Sequence, residues 1–338
     1  MAGFPALERR TLLLASAGLL ALAGAKPAFA QRASAETMGS WNSAPSIPLW
    51  PGQPPAGGFV PNPPPPDAIA NFITNVAMPE LRVFRPEKPN GRAVLSIPGG
   101  AYTFVSIANE GVDLAQVMTA RGYTVFVLVY RLPGEGWHHR EDVPLQDAQR
   151  AVRLIRSRAA QFGIGADSLH VIGFSAGGHL AATLATGFGE KVYDPVDSAD
   201  ALSAQPSTVG LIYPVIGHEP GVGHAESSLR LLGENPSPTL VAKRSPDLHV
   251  GPETPATFLM HALDDPAVPV ENSLRMLKAL RAAGRPVEAH LFEEGGHGFG
   301  LGWPNLPVSQ WSELYARWLE RQEAKKLMES RGEGHDGH

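Results

Sequence analysis

A serine flanked by glycines is the feature of this sequence best suited to chemistry. Ser175 lies at the centre of the run Gly173–Gly177, which reads G-F-S-A-G. The apolar run Leu169–Ile172 precedes it and the helix-forming run His179–Ala182 follows it. In that context the pattern predicts a strained strand-to-helix turn that presents the hydroxyl as the nucleophile of an acyl transfer. Without the flanking elements, the same five residues would indicate only an ordinary glycine-rich turn.

A serine hydroxyl is a weak nucleophile unless a neighbouring base accepts its proton. The chain has 12 histidines, of which His297 lies in the glycine-rich segment Gly295–Phe299, just after an apolar strand pattern that ends at Phe292. An acid must then hold the imidazole in the required tautomer. Asp264 and Asp265 both follow the preceding strand pattern. Position after the strand favours Asp265, which leaves Asp264 as a loop residue or a cap.

The developing oxyanion of an acyl transfer needs backbone N–H donors. The segment Pro98–Tyr102 follows an early apolar strand pattern and contains two adjacent glycines. The N–H of Gly100 or of Ala101 is therefore a candidate donor, together with the N–H of Ala176, which follows the serine. The alternative is that this segment is a plain turn at a strand end.

Short apolar strands alternate with amphipathic helices along most of the chain, which predicts an α/β fold with a mostly parallel sheet covered by helices on both faces. The strand patterns cover residues 93–97, 123–130, 168–172, 209–215, 256–261 and 287–292. The helix patterns cover residues 110–121, 144–162, 177–186, 270–283 and 308–327. Residues 216–252 interrupt the alternation and are expected to form an insertion over the strand ends, within a catalytic domain that spans 81–328.

The N-terminus has the organisation of an export signal. Arg9 and Arg10 precede an apolar stretch that ends near Ala25, and Ala28–Ala30 offers an A-x-A cleavage site. This pattern predicts that residues 1–30 are a cleaved signal peptide, with adjacent arginines typical of the twin-arginine type. A membrane anchor is the alternative, but the apolar stretch is short and interrupted by glycine. We therefore expect a periplasmic or secreted protein that has no membrane contact after cleavage.

Two further segments flank the predicted catalytic domain. Residues 31–80 begin with a Pro-, Gly- and Ser-rich stretch over 31–66, which we expect to be an extended arm without helix or strand. Trp41, Trp50 and Phe59 are expected to fix this arm to the domain. Residues 329–338 are rich in Gly, His and charge, and we expect a disordered tail.

Composition narrows the possible classes of function. The net charge is −5 and no residue is cysteine, which argues against nucleic-acid binding and excludes disulfides, thiolate metal sites and a cysteine nucleophile. The H-E-x-x-H, P-loop and dinucleotide-binding patterns do not occur in the sequence. The expected chemistry therefore requires neither a cofactor nor a metal.

Together these segments resemble the α/β-hydrolase superfamily, and within it the secreted bacterial esterases of the acetylxylan esterase and feruloyl-esterase-like (BD-FAE-like) group. The resemblance covers about residues 85–300 and is carried by Pro98–Tyr102, Tyr130–Pro133, Gln146–Ala151, Gly173–His179, Asp265–Pro269 and Gly296–Gly298. It implies a triad of Ser175, Asp265 and His297. Pro98 stands where many relatives begin a His-Gly-Gly-Gly run, and Phe174 stands where lipase-like relatives often have aspartate.

The resemblance and the predicted export imply a serine esterase that removes short acyl groups, such as acetyl, from a small-molecule or polysaccharide ester. The aromatic residues proposed to stack on sugar rings are Trp50, Tyr102, Trp137 and Trp303; packing of these loop aromatics against the domain is the alternative. Rival interpretations are a lipase-like carboxylesterase, a serine exopeptidase, or a binding protein on a hydrolase fold that has lost catalysis.

Overall fold

The computed structural model describes residues 33–63 and 69–330. Ten strands form in this part of the chain: β1 (Ser46–Pro48), β2 (Phe72–Ile73), β3 (Glu80–Phe84), β4 (Ala93–Ile97), β5 (Val105–Ser106), β6 (Thr124–Val129), β7 (Leu169–Phe174), β8 (Thr208–Ile212), β9 (Ala256–Ala262) and β10 (Val287–Phe292). The six strands predicted from the sequence pattern are β4 and β6–β10. The predicted 209–215 strand ends earlier, at Ile212, because Tyr213 adopts a positive φ of 37°.

Eight of the strands form one sheet in the order β1-β3-β6-β4-β7-β8-β9-β10. From β6 to β10 all neighbours are parallel, whereas β3 is antiparallel to both β1 and β6. Every residue of the central strands β4, β6, β7 and β8 is buried. That burial explains why these strands read as continuous apolar runs rather than alternating ones.

Nine α-helices occur in the described residues: α1 (Ala35–Ser43), α2 (Asp113–Thr119), α3 (Val143–Ser157), α4 (Ala159–Phe162), α5 (Ser175–Gly187), α6 (Ala225–Leu232), α7 (Pro238–Lys243), α8 (Glu271–Ala282) and α9 (Trp311–Ser330). Right-handed crossovers between parallel strands place α3 and α5 on one face of the sheet and α2 on the other. The α/β class predicted from the sequence is therefore confirmed, with helices covering both faces of a mostly parallel sheet.

Two predicted helices differ from the observed ones. The pattern over 110–121 becomes a π-helical turn, Ala108–Val112, followed by the shorter α2. The pattern over 144–162 breaks at Arg158, which leaves α3 and the single turn α4. The 3.6-residue spacing of apolar residues therefore predicted which face of each helix is buried, but it did not predict where the helix is interrupted.

The expectation that residues 31–66 contain no helix or strand was wrong. Ser34 caps α1 by accepting the N–H of Thr37, and the residues of α1 include no proline. Prolines flank this helix instead of interrupting it, so its hydrogen bonds can form. Strand β1 then pairs with β3 at the sheet edge.

Aromatic side chains hold the N-terminal segment on the domain, as predicted. Trp41 and Trp50 are buried, and the Phe59 ring lies 5.2 Å from the ring of Trp137. Trp50 also donates its Nε1–H to the buried carboxylate of Asp147, at 2.9 Å. The predicted signal peptide, residues 1–30, lies outside the described residues.

Residues 216–252, predicted as an insertion, connect β8 to β9 and contain α6, α7 and a 3₁₀ turn at Pro246–His249. The C-terminal helix α9 continues to Ser330, two residues into the segment predicted as a disordered tail; residues 331–338 lie outside the described part. Among the described helices, none combines the length and apolarity needed to cross a membrane.

Candidate active site

The predicted strand-to-helix turn is present at Ser175. Strand β7 ends at Phe174 and α5 begins at Ser175, whose φ is +52°. A positive φ strains a non-glycine residue and is characteristic of functional sites. A Cβ at Gly173 would lie 2.2 Å from the carbonyl oxygen of Gly177, and one at Gly177 would lie 2.1 Å from that of Ile97. Both glycines are therefore required by close backbone packing around the serine.

The serine, histidine and aspartate selected from the sequence lie together in one hydrogen-bonded chain. Ser175 Oγ is 2.9 Å from His297 Nε2, and His297 Nδ1 is 2.6 Å from Asp265 Oδ2. Ser175 is 4% exposed and His297 is 8% exposed, so the chain is shielded from solvent but still accessible. In this arrangement the imidazole can accept the serine proton while the carboxylate stabilises the resulting imidazolium.

Asp265 occupies an environment that keeps its carboxylate charged. Burial acts to raise the pKa of Asp265, but hydrogen bonds from His261 and His297 outweigh it and hold the pKa well below its usual range. The other oxygen, Oδ1, accepts the N–H groups of Ala267 and Val268 at 2.9 and 2.8 Å. Both carboxylate oxygens are thus committed, which fixes the acid relative to the imidazole.

The neighbouring acid, Asp264, plays a different part. It is exposed, and its Oδ1 accepts the N–H of Gly296 at 2.8 Å. It therefore fastens the loop that carries His297 without contacting the imidazole. The two adjacent aspartates that the sequence left in competition are separated by this geometry.

The segment Pro98–Tyr102 lies directly against the serine. A Cβ at Gly99 would be 2.9 Å from Ser175 Cβ, and Gly100, Ala101 and Tyr102 all have positive φ values, of 129°, 55° and 59°. Three consecutive residues with positive φ form a tight, strained loop. The carbonyl of Gly100 accepts the N–H groups of Thr103 and Phe104 at 2.8 and 3.1 Å, which closes the turn.

The backbone N–H groups near Ser175 differ in whether they already donate a hydrogen bond. The N–H of Gly99 donates to Glu110 Oε2 at 2.7 Å. Within residues 33–63 and 69–330, the N–H groups of Gly100 and Ala101 find no acceptor. Ala176 is the second residue of α5, where an N–H has no acceptor inside the helix. These are the three donors that the sequence selected.

The sequence reasoning missed Glu110. Its side chain is fully buried, and Oε1 accepts the Tyr213 hydroxyl at 2.9 Å. Burial raises the pKa of Glu110 to about 7, although the hydrogen bonds from Gly99 and Tyr213 oppose that shift. A charged residue within a helix pattern carries no sign that it will face inward.

A second missed feature is a pair of buried histidines beside the loop. His179 Nδ1 lies 2.7 Å from the hydroxyl of Tyr102, and His179 Nε2 lies 3.0 Å from His218 Nε2. Burial holds the pKa of both histidines below the ordinary value, and that of His218 falls to about 4. These neutral rings join helix α5, the 98–102 loop and the start of the 216–252 insertion.

Three of the four aromatic residues proposed to stack on sugars cannot do so, and that expectation was wrong for them. Trp50, Tyr102 and Trp137 are buried, whereas Trp303 is 37% exposed. Trp303 donates its Nε1–H to the carbonyl of Gly295, at 3.0 Å, on the loop that carries His297. In the described ranges, no cluster of three or more His, Asp or Glu side chains is arranged to hold a metal ion.

Sheet order, strained turn and hydrogen-bonded chain together define the α/β-hydrolase fold. The BD-FAE family model matches residues 81–280, more than half of the chain, and this protein belongs to that family. The match includes Ser175 and Asp265 but ends before His297, so the family model carries no information on the histidine.

Individual relatives agree with the family. The chain is 32% identical to an acetylxylan esterase of Xylanibacter ruminicola, over 66% of this chain and 44% of that one. It is 34% identical to endo-1,4-beta-xylanase B of Butyrivibrio fibrisolvens, over 67% and 36% respectively. This chain thus spans less than half the length of either curated relative.

A solved structure extends the likeness across nearly the whole domain. The acetyl ester-xyloside bifunctional hydrolase of Caldicellulosiruptor lactoaceticus superposes with a TM-score of 0.69 at 36% identity. The superposition covers 82% of this chain and 96% of that one.

Proposed function

We propose that this protein is a serine esterase that hydrolyses short-chain acyl esters of carbohydrates, and that Ser175, His297 and Asp265 form its catalytic triad. The observation that carries the proposal is the hydrogen-bonded chain from Ser175 Oγ to His297 Nε2 and from His297 Nδ1 to Asp265 Oδ2. It begins at a serine held at positive φ on a strand-to-helix turn.

Acylation follows from the positions of these atoms. His297 Nε2 takes the proton of Ser175 as Oγ attacks the ester carbonyl carbon, and the carbonyl electron pair moves onto oxygen. The tetrahedral intermediate then collapses, the C–O bond to the alcohol breaks, and His297 delivers the proton to the leaving oxygen. The acyl group remains on Ser175.

We place the oxyanion beside backbone N–H groups that have no acceptor in the described residues. Ala176 supplies one N–H from the start of α5, and the helix dipole adds to its effect. The strained loop supplies the N–H of Gly100 or of Ala101. Gly99 is excluded as a donor because Glu110 already accepts its N–H.

Deacylation repeats the sequence with water. His297 accepts a proton from water, the oxygen attacks the acyl-serine, and collapse of the second intermediate returns the proton to Ser175 Oγ. The products are a carboxylic acid and a free hydroxyl on the alcohol. Asp265 stays charged throughout, because its pKa lies below the usual range.

The carbohydrate part of the proposal rests on the relatives. The acetylxylan esterase and the acetyl ester-xyloside hydrolase are named for acetylated xylose polymers or xylosides. Trp303 is exposed on the side of the His297 loop, where an apolar ring face could bind a sugar of the leaving group. We take acetylated xylan as the first substrate to test.

The experiment compares acetate release from acetylated xylan with hydrolysis of p-nitrophenyl acetate, butyrate and palmitate and of a peptide anilide. We expect acetate release from xylan and a preference for acetyl over longer chains, both abolished in Ser175→Ala. Hydrolysis of simple esters without acetate release from any polysaccharide would overturn the carbohydrate assignment and leave the esterase. Preference for palmitate or for the anilide would favour the lipase-like or peptidase alternative.

The export signal over residues 1–30 leads to a further part of the proposal, a periplasmic or secreted location. Expression of the full chain in a bacterial host, followed by N-terminal sequencing of the exported protein, tests it. Cleavage before Gln31 is expected, and replacing Arg9 and Arg10 by lysine should block export. Retention of an uncleaved chain in the cytoplasm would contradict the location.

A further inference from the structure

Glu110 is a buried acid that the proposed reaction does not use. It lies in the π-helical turn Ala108–Val112, its side chain is fully buried, and among the described residues it has no ion-pair partner. Removing a carboxylate from water without a cation is costly. π-Helical turns inside helices are also common at functional sites.

Each carboxylate oxygen of Glu110 accepts a hydrogen bond from a different part of the candidate active site. Oε2 accepts the N–H of Gly99 at 2.7 Å, in the loop against Ser175. Oε1 accepts the hydroxyl of Tyr213 at 2.9 Å. The Tyr213 oxygen in turn accepts the N–H of Gly300 at 3.2 Å, on the loop that carries His297.

Tyr213 reinforces this connection. Its φ is +37°, a strained value for an aromatic residue, and its ring centroid lies 5.0 Å from that of His297. The ring therefore packs against the imidazole while its hydroxyl links Glu110 to Gly300. Glu110 and Tyr213 therefore form a tether, a chain of hydrogen bonds that links the 98–102 loop, the end of β8 and the loop that carries His297.

We infer that Glu110 is a positioning residue of the esterase reaction. By holding Gly99 and Tyr213 together, it fixes the position of the 98–102 loop relative to the imidazole of His297. This inference rests on the proposed function, because it assigns Glu110 to the same site. Above its pKa of about 7, Glu110 is a carboxylate whose two oxygens only accept hydrogen bonds, and each here meets a donor.

Glutamine cannot satisfy the same partners. Its oxygen can accept from Gly99, but its amide then donates to the Tyr213 oxygen, which already accepts from Gly300. The hydroxyl hydrogen of Tyr213 is left without its acceptor, and a buried unpaired donor is costly. Glu110→Gln therefore keeps the shape of the side chain while weakening the link to the histidine loop.

To test this role of Glu110, we would measure kcat, KM and inhibition by an aryl trifluoromethyl ketone, which adds to a reactive serine to form a stable oxyanion. In Glu110→Gln we expect kcat to fall by roughly 10- to 100-fold, part of what the loss of an oxyanion donor costs. KM should stay within about twofold, and the ketone Ki should rise by the same factor as kcat/KM falls. Rates are expressed per active site titrated with a fluorophosphonate, so misfolded protein does not count.

Glu135→Gln is the matched control. Glu135 is also a buried acid that accepts two backbone N–H groups, those of Asn75 and Val76, and burial raises its pKa to about 7. Those partners belong to the N-terminal segment and not to the loops around Ser175. We expect its kcat and ketone Ki per titrated site to match those of the wild type.

Tyr213→Phe tests the tether independently if Glu110→Gln does not fold. It removes only the hydroxyl and should lower kcat per titrated site by about 3- to 10-fold, with unchanged KM. The inference would be overturned if either variant folds and keeps the kcat and the ketone Ki of the wild type. A lowered melting temperature alone would show only a structural role. Failure of the wild type to react with the fluorophosphonate would refute the proposed function instead, so the two failures are distinguishable.

Discussion

Replacing Asp265 by asparagine should disable the imidazole by reversing its tautomer. Oδ1 of Asp265 accepts two backbone N–H groups, from Ala267 and Val268, so the amide oxygen of asparagine must take that position. The amide NH₂ then faces His297 Nδ1 and donates to it. The ring proton moves to Nε2, and the nitrogen that should accept the proton of Ser175 is no longer a base.

The expected loss of kcat is large because every step of the proposed mechanism needs an unprotonated Nε2 on His297. We expect kcat to fall by about 10⁴-fold, equivalent to about 5 kcal/mol of transition-state stabilisation. The variant should fold, since asparagine retains both backbone hydrogen bonds. The assay is p-nitrophenyl acetate hydrolysis per correctly folded molecule, with folding checked by urea unfolding.

Asp264→Asn is the matched control, because it alters the adjacent acid. Its oxygen can still accept the N–H of Gly296, and the residue does not contact the imidazole, so we expect kcat within about threefold of wild type. Either of two results would rule out this role for Asp265: a kcat of Asp265→Asn within tenfold of wild type, or a loss of activity in Asp264→Asn as large as that in Asp265→Asn.

Three further outcomes follow. The pKa of Glu110 is raised from 4.5 to about 7 in the folded state; its stabilising contribution is therefore full below about pH 4.5 and lost as pH rises through 7. Urea titrations should show the wild type losing about 3 kcal/mol of unfolding free energy relative to Glu110→Gln over that range; a constant difference would contradict it. Gly177→Ala places a Cβ 2.1 Å from the oxygen of Ile97 and should cost at least about 2 kcal/mol in the same assay, whereas Gly189→Ala meets open space and should change little. Trp303→Ala should raise KM for acetylated xylan about fivefold, from about 1 kcal/mol of apolar contact, with p-nitrophenyl acetate unaffected; equal effects on both substrates would count against a sugar contact.

The positions of Ser175, Asp265 and His297 could be predicted because each follows a strand of the parallel sheet. The carboxyl ends of parallel strands meet at one edge, so residues 122 positions apart in sequence, Ser175 and His297, come within hydrogen-bond distance. The strands themselves were readable because they are buried on both faces. Their apolar runs have few alternative explanations in a chain of this composition.

The features that sequence reasoning missed depend on tertiary packing. Glu110 reads as a solvent-facing helical residue until the π-helical turn directs it inward. Trp50, Tyr102 and Trp137 lie in loops, where aromatic residues can be either exposed or packed, and the structure buries all three. Helix α1 was missed because the many prolines around it outweighed a short proline-free stretch.

For Asp264 and Asp265, position after the strand favoured Asp265, but the residue types alone could not separate the two. Adjacent residues after a strand point in different directions, and only the backbone of the turn decides which one faces the imidazole. The N–H groups of Ala267 and Val268 turn the carboxylate of Asp265 inward, while Asp264 reaches across to Gly296. Nothing in the two side chains themselves distinguishes them.

In the proposed mechanism, Ser175 is a nucleophile activated by His297, and every later step depends on that activation. It is tested most directly by treating the protein with a fluorophosphonate and locating the adduct by peptide mass spectrometry. We expect one phosphonyl group per chain, on Ser175, with labelling lost in Ser175→Ala and slowed strongly in His297→Ala. An unlabelled wild type, or equal labelling of Ser175→Ala, would contradict it.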